Sequence, residues 1–162
     1  MDLTTNRTIN ITQLALSGLE ERQQAITANT ANVISPNYSR KEVTFESQLQ
    51  EMISRDDLKE YIKGRNSMEF NPTALDIAMG RTKPELTIQE KKFLQSNVYK
   101  HYAPQIFDDT VSGYDAQGNN VELEREVMDL AATGLKYQTL SKLENKQFRI
   151  MSSAIKGDLT SL

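Results

Sequence analysis

The apolar positions of this chain fall into two long periodic stretches, one near each end, with an irregular middle between them. In the first, Leu16, Leu19, Ile26 and Val33 recur at spacings of three and seven, beside a stripe of mostly small groups, Ile11, Ala15, Gly18 and Ala25. The pattern predicts a helix over 8–33, about 39 Å long. The small stripe continues through Arg22, Asn29 and Asn32, polar groups where a core-forming helix carries apolar ones. Ser35-Pro36 then stops the helix, because the residue before proline is driven out of the α region and proline has no N–H for the preceding turn. Pro36 suits the second position of a turn, and Asn37 the third, where a positive φ is needed. Residues 40–45 read as a short extended segment with Val43 and Phe45 on one side.

Beyond this, Phe45, Leu49, Met52 and Ile53 follow helical spacing, which predicts a helix over about 46–62 with Gly64 as its stop. Residues 64–84 hold Gly64, Pro72, Gly80 and Pro84 and few periodic apolar groups, so they read as a loop or mobile insert. Thr87 and Glu90 have capping-box spacing for a short helix over about 88–101. Residues 103–118 read as a second connector. The last element is the clearest. Asn119 is placed to cap it, with Glu122 three positions on. Leu123, Val127, Leu130, Gly134 and Tyr137 alternate at four and three, and Phe148, Met151 and Ile155 keep the register. Leu140, Leu143, Ile150 and Ala154 make an adjacent stripe, giving a broad contact face. Acidic groups (Glu122, Glu124, Glu126, Asp129) crowd its start and basic groups (Lys136, Lys142, Lys146, Arg149, Lys156) its end, which complements the helix dipole. The expected fold is mainly α: long N- and C-terminal helices form an extended coiled-coil-like hairpin around an irregular, partly extended middle. The expected divisions are 1–34, 35–118 and 119–162, the first and last forming one structural unit. Such long terminal helices are expected to depend on neighbours for full burial.

Composition narrows the chemistry. The chain has 162 residues, a net charge of −3, no Cys, no Trp and one His. No thiolate ligand or disulfide is available, and a His-based metal site or a nucleophile–His pair has few parts. His101 reads as a surface residue. Asp56-Asp57 and Asp108-Asp109 are adjacent in sequence, so neither pair converges as an acid–base dyad, and both read as loop or cap acids. Asp115 to Glu126 loosely has a calcium-loop pattern, but its glycine falls at position 4 rather than 6, so it reads as a turn followed by a cap. No basic stripe suits nucleic acid, and no window is apolar enough to span or insert into a membrane. The N-terminus lacks the basic and apolar regions of a cleavable signal. No catalysis and no cofactor are expected. Asn29 and Asn32 keep two readings, an exposed fraying helix end or amides that bond other backbones or subunits.

Ala25 to Asn32, continued through Ser35-Pro36-Asn37-Tyr38-Ser39-Arg40-Lys41, resembles the N-terminal motif of bacterial flagellar axial proteins, which build the rod, hook and hook–filament junction. Here Ser35 and Asn37 stand where that motif carries Thr and Gly. Val43-Thr44-Phe45-Glu46 is similar to a region of the FlgB-type proximal rod family. So is Gly118-Asn119-Asn120-Val121-Glu122-Leu123-Glu124-Arg125-Glu126, followed by Leu135-Lys136-Tyr137-Gln138. The resemblance covers the first third and the last quarter of the chain. It implies a structural subunit of the basal-body rod, the tube that transmits torque and encloses the export channel. Implied partners are further copies of the chain, other rod proteins, the inner-membrane MS-ring and rod-adaptor proteins, and the export apparatus. Implied surroundings are periplasmic, reached by flagellar type III export without a cleavable signal. Its assembly motif would comprise Asn29, Asn32, Ser35, Pro36, Asn37, Tyr38, Phe45, Asn119, Asn120, Val121, Glu122 and Glu124, with the asparagines bonding across subunits. Another axial component, or a cytoplasmic helical binding module such as an export chaperone, are the alternatives.

Overall fold

The computed structural model describes residues 3–67, 75, 78–80 and 85–156. Helix α1 spans Leu3–Ala31, strand β1 Lys41–Thr44, helix α2 Glu46–Ser67 and helix α3 Ile88–Gln95. A 3-10 turn at Val98–His101, strand β2 at Gln105–Asp108 and helix α4 at Leu123–Lys156 complete the order. The fold is mainly α with long terminal helices, as the periodicity implied. Two compact units emerge, one from 1–49 with 102–162 and the other from 50–101. The segments 35–49 and 102–118 therefore go with the terminal helices rather than with the middle.

In the first unit α1 and α4 pack as an antiparallel pair. Asn29 near the end of α1 meets Glu126 near the start of α4, and Thr8 to Ala15 face Thr139 to Leu143 across the other half. The inward face of α1 carries Ile9, Thr12, Ala15, Leu19, Ala25, Ile26 and Asn29, so the small-residue stripe is a packing face. Gly18 permits the closest approach: a Cβ there would overlap the Phe45 ring and the Tyr102 hydroxyl. That hydroxyl donates to the Leu14 carbonyl at 2.7 Å, and burial pushes its pKa up to about 12. β1 and β2 form a two-stranded antiparallel sheet in which Lys41 faces Asp108 and Thr44 faces Gln105.

Several expectations change on contact with the structure. Residues 103–118 are not only a connector, because 105–108 pair with β1. Gly64 lies inside α2, which runs on to Ser67. The capping box at Thr87 and Glu90 is present, but α3 stops at Gln95 and a 3-10 turn follows. Much of the expected insert over 64–84 lies outside the described residues. The largest change is on α4. Leu123, Val127, Leu130 and Tyr137, assigned to its contact face, are 38–57% exposed, while Glu126 and Thr133 are buried against the rest of the unit. The inward positions are 126, 133 and 140, seven apart, and two of the three are polar. The apolar stripe lies beside that seam and points outward.

In the second unit Met52, Ile62 and Val98 are buried. Lys59 caps the end of α3, donating to the carbonyls of Leu94 at 3.2 Å and of Ser96. A cation there meets the negative end of the helix dipole, and burial holds its pKa below the usual lysine value. Arg65 pairs with Glu90.

Candidate assembly site

Most of the residues assigned to the assembly motif converge at one place, where α1 ends, β1 begins and α4 starts. The convergence follows from the Ser-Pro-Asn-Tyr turn. Asn37 has φ 57°, the left-handed conformation that asparagine tolerates better than other non-glycine residues. The turn reverses the chain, so β1 runs back beside the last turns of α1.

Asn29 is wholly buried, and both ends of its amide are used. Its Nδ2 donates to the Lys41 carbonyl at 2.9 Å and to Glu126 Oε2 at 3.0 Å. Its Oδ1 accepts from the Lys41 N–H at 2.8 Å and from the Tyr38 hydroxyl at 3.2 Å. An amide offers two donors and two acceptor positions, so Asn29 is saturated within its own chain. Of the two bonding roles expected for Asn29, to another stretch of backbone or to another subunit, these bonds are of the first kind. Asn32 bonds locally: its Nδ2 donates to the Ala28 carbonyl at 2.8 Å, and its Oδ1 accepts from the Ser35 hydroxyl at 3.0 Å.

Asn119 does not cap α4. Its Nδ2 donates to the carbonyls of Asn32, Val33 and Ser35 at 2.9, 3.2 and 2.9 Å, so it closes the end of α1 instead. Its Oδ1 accepts from the Val121 N–H at 2.8 Å. Glu122 immediately precedes α4, and its carbonyl takes the Glu126 N–H at 3.1 Å as the first helical bond. Asn120 links the two strands beyond their ladder, accepting from the Arg40 N–H at 2.6 Å and donating to the Asp109 carbonyl at 2.7 Å. Phe45 belongs to the core, with Arg22 4.8 Å above its ring. Pro36, Glu122 and Glu124 are exposed and stand apart from this network.

The centre of the junction is a charge cluster that sequence reasoning missed. Arg40, 4% exposed, bonds Glu126 Oε1 through Nε at 2.6 Å and Asp129 Oδ2 through Nη2 at 3.0 Å. Its Nη1 lies 3.4 Å from Glu42 and 3.5 Å from Asp109. Burial works against the guanidinium charge, but the bond to Glu126 and the fields of Glu126, Glu42 and Asp129 outweigh it, so the Arg40 pKa rises. Asp109 accepts from the Ser112 hydroxyl at 2.6 Å and from the N–H groups of Val111 and Ser112. These bonds, the Ser112 hydroxyl foremost, outweigh burial and hold its pKa at about 2. Among the described residues, no buried side-chain polar atom of the junction lacks a partner. Glu126 stands seven residues before Thr133 and fourteen before Leu140, but a seam with two polar members in three does not mark itself in the sequence as the inward face.

The Asp115 stretch is a turn. Its Oδ1 accepts from the N–H groups of Gln117 and Asn119, and Gly118 has φ 76°. Among the described residues, no group of three or more His, Cys, Asp or Glu side chains is placed to hold a metal, and His101 is exposed. No described helix is long and apolar enough to cross a membrane. The described residues form a corner closed by hydrogen bonds and ion pairs, from which two long helices extend.

Comparison with known proteins points the same way. The chain is similar to the flagellar basal body rod protein FlgB of Bacillus subtilis (strain 168), 28% identical over 150 residues, 93% of this chain and 94% of that protein. The protein of the same name from Buchnera aphidicola is 22% identical over 152 residues, covering 94% of this chain and 96% of the relative. That from Borreliella burgdorferi is 21% identical over 150 residues, covering 93% and 96%. No family model matches. The similarity runs through the middle of the chain as well as the two end motifs.

Proposed function

We infer that this chain is a structural subunit of the bacterial flagellar basal-body rod, of the FlgB type. The observation that carries the reading is end-to-end similarity to several proteins bearing that one name, each matched over more than nine-tenths of its length. The geometry agrees with a part in a larger tube. The outward stripe of α4 leaves Val127, Met128 and Leu135 more than half exposed and Leu123 nearly so. A rod subunit buries such surface against neighbours. On this reading the polar corner fixes the angle between the terminal helices and the strand pair, and the outward faces make the lattice. The neighbours are other copies, other rod proteins and, at the base, the MS-ring, rod-adaptor proteins and export apparatus. The subunit works in the periplasm, having left through the export apparatus without a cleavable signal. It has no catalytic role.

Image reconstruction of basal bodies purified from cells carrying a tagged copy tests this. The tag is expected at the proximal rod, and deletion of the chain is expected to leave cells without rods. A chain found only in the soluble fraction, absent from purified basal bodies, would overturn the reading.

A further inference from the structure

We propose that residues 115–121 form a strap whose closure over the end of α1 switches the 1–49 and 102–162 unit from an open chain to an ordered one, in a single step. The inference does not depend on the rod reading. It rests on three side-chain amides that stand in for backbone.

Asn120 occupies the last rung of the sheet. The Asp109 N–H still donates to the Arg40 carbonyl at 2.8 Å, but the return bond is replaced by the Asn120 amide, inserted between the Arg40 N–H and the Asp109 carbonyl. Asn119 supplies the donor for carbonyls at the end of α1. Asn29 pairs with both backbone groups of Lys41 on the edge of β1 that faces away from β2. All three amides are buried. Each of the three elements thus ends on a bond that another element must bring. The strap is fastened by the Asn37 N–H, which donates to the Gln117 carbonyl at 2.9 Å, and by the approach of Gly118 to Asn37. With the strap open, the Val33 and Ser35 carbonyls, the Arg40 N–H and the Asp109 carbonyl lose the Asn119 and Asn120 amides together, and the Asn32 carbonyl keeps only the Ser35 N–H. Arg40 and Asn120 lie 80 positions apart and Ser35 and Asn119 lie 84 apart, so closure comes only after the intervening chain has been brought round.

Native-state hydrogen exchange of the full chain in increasing urea tests the proposal. The amides of Arg40 and Asp109, of residues 25–31 and of residues 126–133 are expected to converge on one opening, with a common urea slope, distinct from that of residues 88–95. Arg40 and Asp109 exchanging through a shallow opening of their own, while both helix ends keep their protection, would overturn it. Asn120→Ala supplies a second reading. It is expected to speed exchange at residues 25–31 by about tenfold or more, with residues 88–95 unchanged, since a lost buried bond of about 1.4 kcal/mol corresponds to a factor of ten. Acceleration confined to Arg40 and its immediate neighbours would count against the strap. If Asn120→Ala does not fold, the urea series on the natural chain decides alone.

Discussion

At the junction end of the α1–α4 pair, Asn29 and Glu126 expose nothing, whereas farther along the same two helices Leu135 is 67% exposed beside an apolar groove of about 650 Å³. That groove is lined by Thr12, Ala15, Leu19 and Leu49 and by Leu140 and Leu143 of α4. The two ends solve different problems. Buried polar groups demand particular partners at particular angles, so the junction admits one geometry. Apolar contact is non-directional, so the groove half tolerates change and keeps surface for others. The chain is self-sufficient in its polar corner and incomplete in its apolar half.

The sharpest way to break this contrast is to remove a charge from the corner. Glu126→Ala leaves Arg40 buried without its closest partner and is expected to destabilise the unit by about 3–5 kcal/mol, measured by chemical denaturation. Arg40→Met combined with Glu126→Leu is expected to recover part of that loss, because neither charge is then left stranded. A single variant that unfolds within about 1 kcal/mol of the natural chain would show that the corner is not rigidly committed.

Acid offers a graded version. The Asp109 pKa of about 2 lies below the ordinary value of 3.8, so the unfolded chain takes up its proton first as pH falls. The stabilisation is therefore complete above about pH 5, declines through pH 4 to 2 and is gone below, amounting to on the order of 2 kcal/mol. Asp109→Asn is expected to flatten the pH dependence of stability across that window. An unchanged acid slope in the variant would assign the dependence to other carboxylates.

Next in size is Gly118→Ala. The positive φ disfavours any Cβ, and the new methyl would lie 2.7 Å from Asn37 Oδ1. A loss of about 1–2 kcal/mol is expected, since the left-handed conformation alone costs about that much for alanine. Thermal melts followed by circular dichroism check it.

The contrast also explains what was legible in the sequence. Periodicity located both terminal helices, and turn chemistry located the positive φ at Asn37, because those signals are local. The polar seam of α4 was hidden. A pattern search assigns Leu123, Val127 and Leu130 to the contact face by their apolarity, but the residues that meet the rest of the unit are Glu126 and Thr133. Glu126 is acceptable inside because Arg40, 86 positions earlier, and the Asn29 amide, 97 earlier, arrive beside it. Pairing over such a distance leaves no trace in either segment alone. The same holds for Asn119, whose spacing fitted a cap for the helix that follows it but whose amide serves the helix that ends at residue 31. β2 was missed for a related reason: its four residues are exposed, so alternation is absent.

The smallest expected effect is the most informative about the open half. Leu135 lines the groove yet is two-thirds exposed, so it contributes little to the folded unit by itself. Leu135→Gln keeps helix propensity nearly constant and removes only apolar surface, so stability is expected to change by less than about 0.5 kcal/mol. Paired melts of the variant and of the natural chain measure this. A substantially larger loss would mean that the groove is part of the core, and the division between a closed corner and an open half would fall. A near-zero change accompanied by lost motility in cells places the role of Leu135 outside its own subunit, in the contacts that one rod subunit makes with the next.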